Sequence, residues 1–169
     1  MANLWPAQHV GSRSAIDFPS YVSGYFDGEG CFNVSLSPRA SLRVGWEVRP
    51  SVSVSQNEDR SQVLHMIMDY FRCGSIRSDP SDRTVKWEVR SLQTIRERVI
   101  PHFLDWPILS AKQTDVELFI AICDRMARQE HLQPEGLIEI VSIVKGMNPS
   151  GKRRFDPDTI IDQLSEMKA

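Results

Sequence analysis

Asp27 and Glu29 are two carboxylates that alternate with glycines at the end of a short helical pattern, residues 17–29. Carboxylate oxygens are the ligands that hard divalent cations prefer in proteins. The C-terminal end of a helix carries partial negative charge, which adds to the attraction for a cation. The spacing therefore predicts a metal site at this helix end, although an Asp-Gly pair by itself is also a common turn.

Small residues recur at every fourth position of the same helix, at Ser20, Gly24 and Gly28. Residues four apart share one helix face. A face without large side chains lets a second backbone approach closely. Two such helices packed around a two-fold axis would bring their acidic ends together, which is one way to build a shared metal site.

Length and composition predict one folded domain with its own core, because 41% of the 169 residues are hydrophobic and 25% are charged. We expect an N-terminal extension at residues 1–16 and a single domain at residues 17–169. We expect no secretion signal, and no apolar run is long enough to span a membrane. Three distant cysteines favour reduced thiols in a cytosol-like compartment, either cytoplasm or an organelle. They are Cys31, Cys73 and Cys123.

The formal net charge of −2 weighs against a nucleic-acid partner. The charges are unevenly distributed, since basic side chains are in excess within residues 72–90 and acidic ones within residues 97–139. A positive sheet face with a negative helical back could still bind DNA, because the local field matters more than the sum.

Alternating apolar and polar residues predict four strands, and helical periodicity predicts the segments between and after them. The predicted strands are residues 31–39, 45–56, 75–78 and 84–90. The predicted helices are residues 17–29, 58–72, 91–104, 110–128, 134–145 and 156–168, the third kinked near Pro101. Pro50 lacks an amide hydrogen, which predicts an edge or bulged second strand. The order favours an α+β fold, with one four-stranded antiparallel sheet and helices on one face.

Polar side chains occupy the sheet face opposite the apolar one. Arginine pairs well with guanine, asparagine with adenine, glutamate with cytosine, and serine with several bases. An ordinary solvated sheet uses the same residue types, so this pattern alone does not decide between water and DNA. The residues on this polar face are Asn33, Ser35, Ser37, Arg39, Glu47, Arg49, Ser51, Ser53, Arg77, Lys86, Glu88 and Arg90.

The nine residues from Val22 to Gly30, VSGYFDGEG, resemble the signature of the LAGLIDADG homing endonucleases. The glycines and both acidic positions match, and Val22 and Ser23 replace the usual Leu and Ala. The resemblance covers roughly residues 17–145 and implies a saddle-shaped sheet over DNA. One copy of the motif implies a homodimer through the signature helix. The interface residues would be Ser20, Ser23, Gly24, Asp27 and Gly28.

The resemblance implies a site-specific double-stranded DNA endonuclease that cuts a long palindromic or nearly palindromic target. Glu29 would be the catalytic metal ligand of each subunit, with Asp27 and the Gly28 carbonyl as further candidate ligands. Mg²⁺ would be the cofactor, Mn²⁺ could replace it, and Ca²⁺ could support binding without cleavage. In this reading, the polar sheet face contacts bases.

Three more residues match catalytic positions of the family. Gln56 ends the second strand, Arg60 follows one helical turn later, and Lys112 resembles the lysine before the long fourth helix. The register of the lysine is open, since a strict alignment places Ser110 at that position. A strand-end cap, a solvated arginine and a surface lysine are the corresponding structural alternatives.

Two other functions remain open from the sequence. An RNA maturase or a non-cleaving DNA-binding regulator could use the same scaffold, so RNA is an alternative partner. A plain α/β interaction module with a structural Gly-rich turn is the second. That module would be monomeric and would show no salt-dependent DNA affinity.

Overall fold

The computed structural model describes residues 17–79, 81, 83–149, 151 and 153–167, with the side chain of Asp79 excepted. The predicted extension at residues 1–16 lies outside the described residues. No helix within the described ranges is long and apolar enough to cross a membrane.

The described elements follow the predicted order. The strands are β1 (Gly30–Pro38), β2 (Trp46–Asn57), β3 (Ser75–Asp79) and β4 (Thr84–Val89). The helices are α1 (Phe18–Glu29), α2 (Gln62–Phe71), α3 (Leu92–Thr94), α4 (Ile100–Asp105), α5 (Lys112–Ala127), α6 (Pro134–Gly146) and α7 (Pro157–Glu166). Short 3-10 turns occur at Glu58–Arg60 and Glu130–Leu132. The helix predicted from residue 58 therefore starts as a 3-10 turn and becomes α-helical at Gln62.

The four strands form one antiparallel sheet in the order β1-β2-β4-β3, which confirms the predicted fold class. The prediction that Pro50 makes β2 an edge or bulged strand is wrong, because β2 lies between β1 and β4 and pairs with β1 in unbroken register through Pro50. β4 pairs with β2 only from Val52 to Asn57. At Pro50 the strand therefore has β1 as its single neighbour, so the missing amide hydrogen interrupts no bond to β4.

The apolar sheet face and the helices enclose the core, as strand alternation predicts. Phe26 of α1 lies at its centre and is fully buried. Its ring packs within 6.2 Å, centroid to centroid, of four other aromatic rings. These belong to Phe32, Phe71, Trp87 and Phe103. Phe26 thereby packs the signature helix against the sheet, α2 and α4.

The predicted helix over residues 91–104 is divided, as Pro101 indicated. A π-helical turn at Ile95–Val99 separates α3 from α4. Proline cannot donate to the carbonyl one turn earlier, and a π turn directly before it accommodates this break. The Ser91 side chain accepts from the Thr94 amide at 3.3 Å and begins the segment.

The loop after α6 covers part of the outer edge of β1. The Asn148 side chain donates to the Phe32 carbonyl at 2.9 Å, and the Asn148 backbone amide donates to Asp115 Oδ1 at 2.8 Å. Asn148 has a φ of +44°, a left-handed conformation that asparagine adopts more readily than most residues. The loop is therefore fixed to both β1 and α5.

Candidate active site and nucleic-acid interface

The last turn of α1 presents Glu29 to solvent. Glu29 is exposed, and no described side chain forms a hydrogen bond or ion pair with its carboxylate. Gly30 follows it, and a Cβ at Gly30 would lie 2.6 Å from Phe26, so only glycine fits this tight exit from the helix. Glu29 is therefore free to bind a ligand at the negative end of a helix dipole.

Asp27 points toward the start of α5 and is already engaged. Its carboxylate accepts the Ser110 hydroxyl and, at 3.3 Å, the Ser110 amide. The same hydroxyl accepts from the Lys112 amide at 3.1 Å. The predicted helix over residues 110–128 therefore begins two residues later than expected, at Lys112. The contacts favour an ordering role for Asp27, and its metal and interface roles stay predictions.

Lys112 reaches the end of α1 directly. Its Nζ donates to the Phe26 carbonyl at 3.1 Å and to the Gly30 carbonyl at 3.0 Å. A cation at a helix C-terminus stabilises the unpaired carbonyls there. Both Lys112 and Ser110 therefore bind the last turn of the helix that carries Glu29.

Of the two remaining predicted catalytic residues, Gln56 contacts α1 and Arg60, among its described contacts, does not. Gln56 Nε2 donates to the Tyr25 hydroxyl on α1 at 2.7 Å. Burial raises the pKa of Tyr25 above its ordinary value, which keeps that hydroxyl protonated. Arg60 is exposed in the 3-10 turn after β2, where its described ion pair is with the adjacent Asp59, at 3.9 Å.

The small-residue face of α1 is open in the single chain. Ser20, Gly24 and Gly28 are exposed, and a Cβ built at either glycine meets nothing within 4 Å. Ser23 does not belong to this face: it is 6% exposed, and its hydroxyl donates to the Trp106 carbonyl at 2.5 Å. The interface assignment of Ser23 is therefore wrong, because its side chain turns into its own subunit.

The polar sheet face carries two ion-pair clusters. Glu47 contacts Arg39 at 2.5 Å and Arg49 at 2.6 Å. Hydrogen bonding from Arg49, together with the charge of Arg39, lowers the pKa of Glu47 below its ordinary value. Glu88 contacts Arg90 at 2.8 Å and Lys86 at 3.9 Å.

The two glutamates on this face hold basic side chains whose outer surfaces stay exposed. Arg49 and Arg90 keep 59% and 62% of their side chains exposed, whereas Glu88 keeps 9%. The glutamates therefore orient the arginines, and Glu88 itself has little surface to offer a base. Ser53 is 3% exposed, so its predicted DNA contact is contradicted by its position between Cys31 and Glu88.

The sequence profile of the LAGLIDADG endonuclease family matches residues 22–123, more than half of the chain. The chain belongs to this family. The matched region runs from the middle of α1 into α5 and includes Glu29, Gln56 and Lys112. The resemblance seen in the signature helix is thereby confirmed.

Known LAGLIDADG proteins agree in both sequence and fold. The crystal structure of the homing endonuclease I-TnaI superposes with a TM-score of 0.76 at 31% identity, over 88% of this chain and 97% of that one. I-SmaMI, bound to uncleaved DNA target in the presence of calcium ions, gives 0.76 at 26%, over 85% and 49%. Probable intron-encoded endonuclease 2 of Neurospora crassa is 30% identical over 131 residues, 77% of this chain. The chain spans 29% of that relative's length.

The donor set of one LAGLIDADG chain suits a cation that takes only part of its coordination from protein. Among the described residues, no group of three or more His, Cys, Asp or Glu side chains could hold a metal ion. Mg²⁺ is commonly held by one or two carboxylates, with waters and substrate phosphates completing its shell. An unpaired Glu29 at a helix C-terminus fits that pattern, because one carboxylate is enough when waters and phosphates supply the other ligands.

His102 is a buried residue that the sequence did not single out, because its hydrogen-bond partners are distant along the chain. Its Nε2 lies 3.1 Å from Ser23 Oγ, and its Nδ1 lies 3.0 Å from the Tyr70 hydroxyl. The ring stacks on Trp106 with 5.5 Å between centroids. Burial lowers the pKa of His102 from 6.5 to about 4, so the imidazole is neutral near pH 7.

Acid should destabilise this protein through His102. Between pH 6.5 and about 4, the unfolded chain binds a proton that the folded chain does not, so unfolding is favoured as pH falls. We expect His102 to cost about 3 kcal/mol of unfolding free energy across this window, and nothing above it. Urea titrations of wild type and His102→Gln at several pH values give the slope of unfolding free energy against pH for each protein. Equal slopes in the two proteins would contradict the lowered pKa of His102.

Proposed function

We propose that this protein is a site-specific double-stranded DNA endonuclease that acts as a homodimer with Mg²⁺. The observation that carries the proposal is the unpaired Glu29 carboxylate at the end of an open small-residue helix face. Cleaving both strands of a duplex requires two such sites. Two copies of α1, packed through Ser20, Gly24 and Gly28, would place the two Glu29 side chains together.

This chain matches 49% of the length of I-SmaMI. That match supports the proposed dimer, because two copies of this chain would equal one copy of the longer protein. I-TnaI is matched over 97% of its length, so a chain of this size is also found by itself in the family. A second copy would therefore supply the half that the longer protein carries in one chain.

Each chain contributes four groups to the proposed site. Glu29 provides the metal-binding carboxylate, and Lys112 places positive charge beside it while fixing the helix end. Asp27 holds the start of α5 through Ser110. Gln56 ties the end of β2 to α1 through Tyr25. The chemistry that Mg²⁺ supplies when bound is an activated water and charge stabilisation at the phosphate.

The polar sheet face is the surface that we propose for target recognition. It combines the exposed Arg49 and Arg90 with Asn33, Ser35 and Ser51 on the surface formed by β1, β2 and β4. Arginines already oriented by Glu47 and Glu88 lose less side-chain freedom when they bind guanine. The excess of basic residues on this face offsets the overall charge of −2 where DNA would lie.

Selection from a random duplex pool in Ca²⁺, followed by transfer of the enriched duplexes to Mg²⁺, tests the proposed function. We expect a two-fold symmetric site that is cut near its centre in Mg²⁺ and in Mn²⁺. Enrichment without cutting would replace the proposal with a DNA-binding regulator. Enrichment of RNA in a parallel pool, without DNA enrichment, would replace it with an RNA maturase.

Arg49→Ala should weaken binding to the selected target about ten-fold and relax preference at one base pair in each half-site. Arg128→Ala is a matched control, since both arginines are about equally exposed and each pairs with a glutamate at 2.6 Å. Arg128 directly follows α5 and does not belong to the polar sheet face. Filter binding in Ca²⁺ measures both variants. An equal loss in both would argue against recognition by the polar face.

A further inference from the structure

The contacts of His102 form a chain of hydrogen bonds with one direction. The Ser23 hydroxyl has one hydrogen and donates it to the Trp106 carbonyl, at 2.5 Å. His102 Nε2 must then donate to Ser23 Oγ, at 3.1 Å. A neutral imidazole carries one hydrogen, so Nδ1 accepts from the Tyr70 hydroxyl, at 3.0 Å. The relay therefore runs from Tyr70 through His102 and Ser23 to Trp106.

This relay joins three helices to the loop that precedes α5. Tyr70 belongs to α2, His102 to α4 and Ser23 to α1. Trp106 begins the loop of residues 106–111, which leads directly to Lys112, the first residue of α5. Each donor and acceptor in the relay has a partner, which a buried polar group needs in order not to destabilise the fold.

The loop and the first residue of α5 bind α1 at three successive points along the helix. Ser23 binds Trp106 first, Asp27 binds Ser110 one turn later, and Lys112 binds the Phe26 and Gly30 carbonyls at the end. The loop thus runs parallel to the signature helix, and the Ser23 contact is the first of its attachments.

We propose that His102 is a positioning residue whose relay holds loop 106–111 in register with α1, so that Lys112 meets the helix end beside Glu29. This inference rests on the proposed endonuclease function. Shifts of about 1 Å in a reacting group can change a rate by about a hundred-fold. His102 is 5% exposed, so it acts through Ser23 and the loop and touches neither DNA nor metal.

The direction of the relay can be measured without any cleavage assay. Nitrogen-15 NMR of histidine-labelled protein at pH 7 should show His102 with its hydrogen on Nε2 and a bare Nδ1. A hydrogen on Nδ1 would overturn the relay. Because this readout is independent of activity, it stands even if the chain cuts no DNA and the proposed function fails.

The positioning role is tested by separating the cleavage rate from DNA affinity. Ser23→Ala and Tyr70→Phe each remove one hydroxyl of the relay and keep the surrounding packing. We expect each to lower the single-turnover cleavage rate in Mg²⁺ about ten-fold, with the Kd for target in Ca²⁺ unchanged. His102→Gln, which keeps a donor near the Nε2 position, should retain more activity than His102→Leu.

Ser142→Ala is the matched control, because the Ser142 hydroxyl also donates to a backbone carbonyl, that of Ile138 at 2.9 Å, but lies on α6. It should cut at the wild-type rate. All rates are taken below the unfolding temperature of each variant, as followed by circular dichroism. Unchanged cleavage in Ser23→Ala, or equal losses of rate and affinity, would overturn the positioning role.

Discussion

Glu29→Gln should bind the selected target in Ca²⁺ with unchanged affinity and cut it in Mg²⁺ on the order of a thousand-fold more slowly. Glutamine keeps the size of the side chain but removes the charge that binds a cation. Glu29 has no described intramolecular partner, so the variant should also keep the wild-type unfolding temperature. Binding and cleavage of one labelled duplex measure both effects.

Glu166→Gln is the control for this charge loss, because Glu166 is an exposed glutamate of α7, remote from the signature helix. It should cut normally. Cleavage by Glu29→Gln at the wild-type rate would remove Glu29 from the mechanism. A parallel loss of binding in Ca²⁺ would mean that Glu29 contributes to DNA affinity and not to the chemical step alone.

Gly24 substitutions should have opposite effects on the stability of one chain and on the association of two. A Cβ at Gly24 meets no other atom of its own subunit within 4 Å, and alanine is favoured over glycine in a helix by about 1 kcal/mol. Gly24→Ala should therefore stabilise the single chain while separating the two helices of the dimer. Gly24→Leu should block association completely and abolish cleavage.

Sedimentation velocity over a range of protein concentrations measures association, and urea unfolding at low concentration measures the single chain. Asp162→Leu, at an exposed position of α7, controls for the added apolar surface. A Gly24→Leu protein that still dimerises and cuts would place the interface elsewhere. Loss of stability in the Gly24→Ala single chain would show that this helix face already has a partner within its own subunit.

The periodic parts of the fold were predictable from the sequence because local alternation is enough to specify them. Both hairpins and α1 occur where the patterns place them, and Glu29 and Gln56 lie at the ends of their elements. Pro50 alone does not locate β2 in the sheet, because its effect depends on how far β4 extends along β2. Strand overlap is a tertiary property, and no local signal reports it.

The candidate site was only partly predictable for a related reason. Ser23 is three residues from Ser20, which rotates it about 60° away on the helix, and only the path of loop 106–111 decides what it meets there. Ser53 has the correct alternation for the polar face but is covered by its neighbours. His102 meets side chains far away in sequence, so no spacing could indicate it.

The contact of Asn148 with the edge of the sheet also bears on how this protein behaves among its own copies. β1 is nine residues long and pairs on one side only, so its outer backbone groups could template a strand from another molecule. The Asn148 side chain donates a hydrogen bond to the Phe32 carbonyl and so holds its loop against that edge. A loop fixed there covers part of the edge, which hinders pairing of β1 with a strand of another molecule.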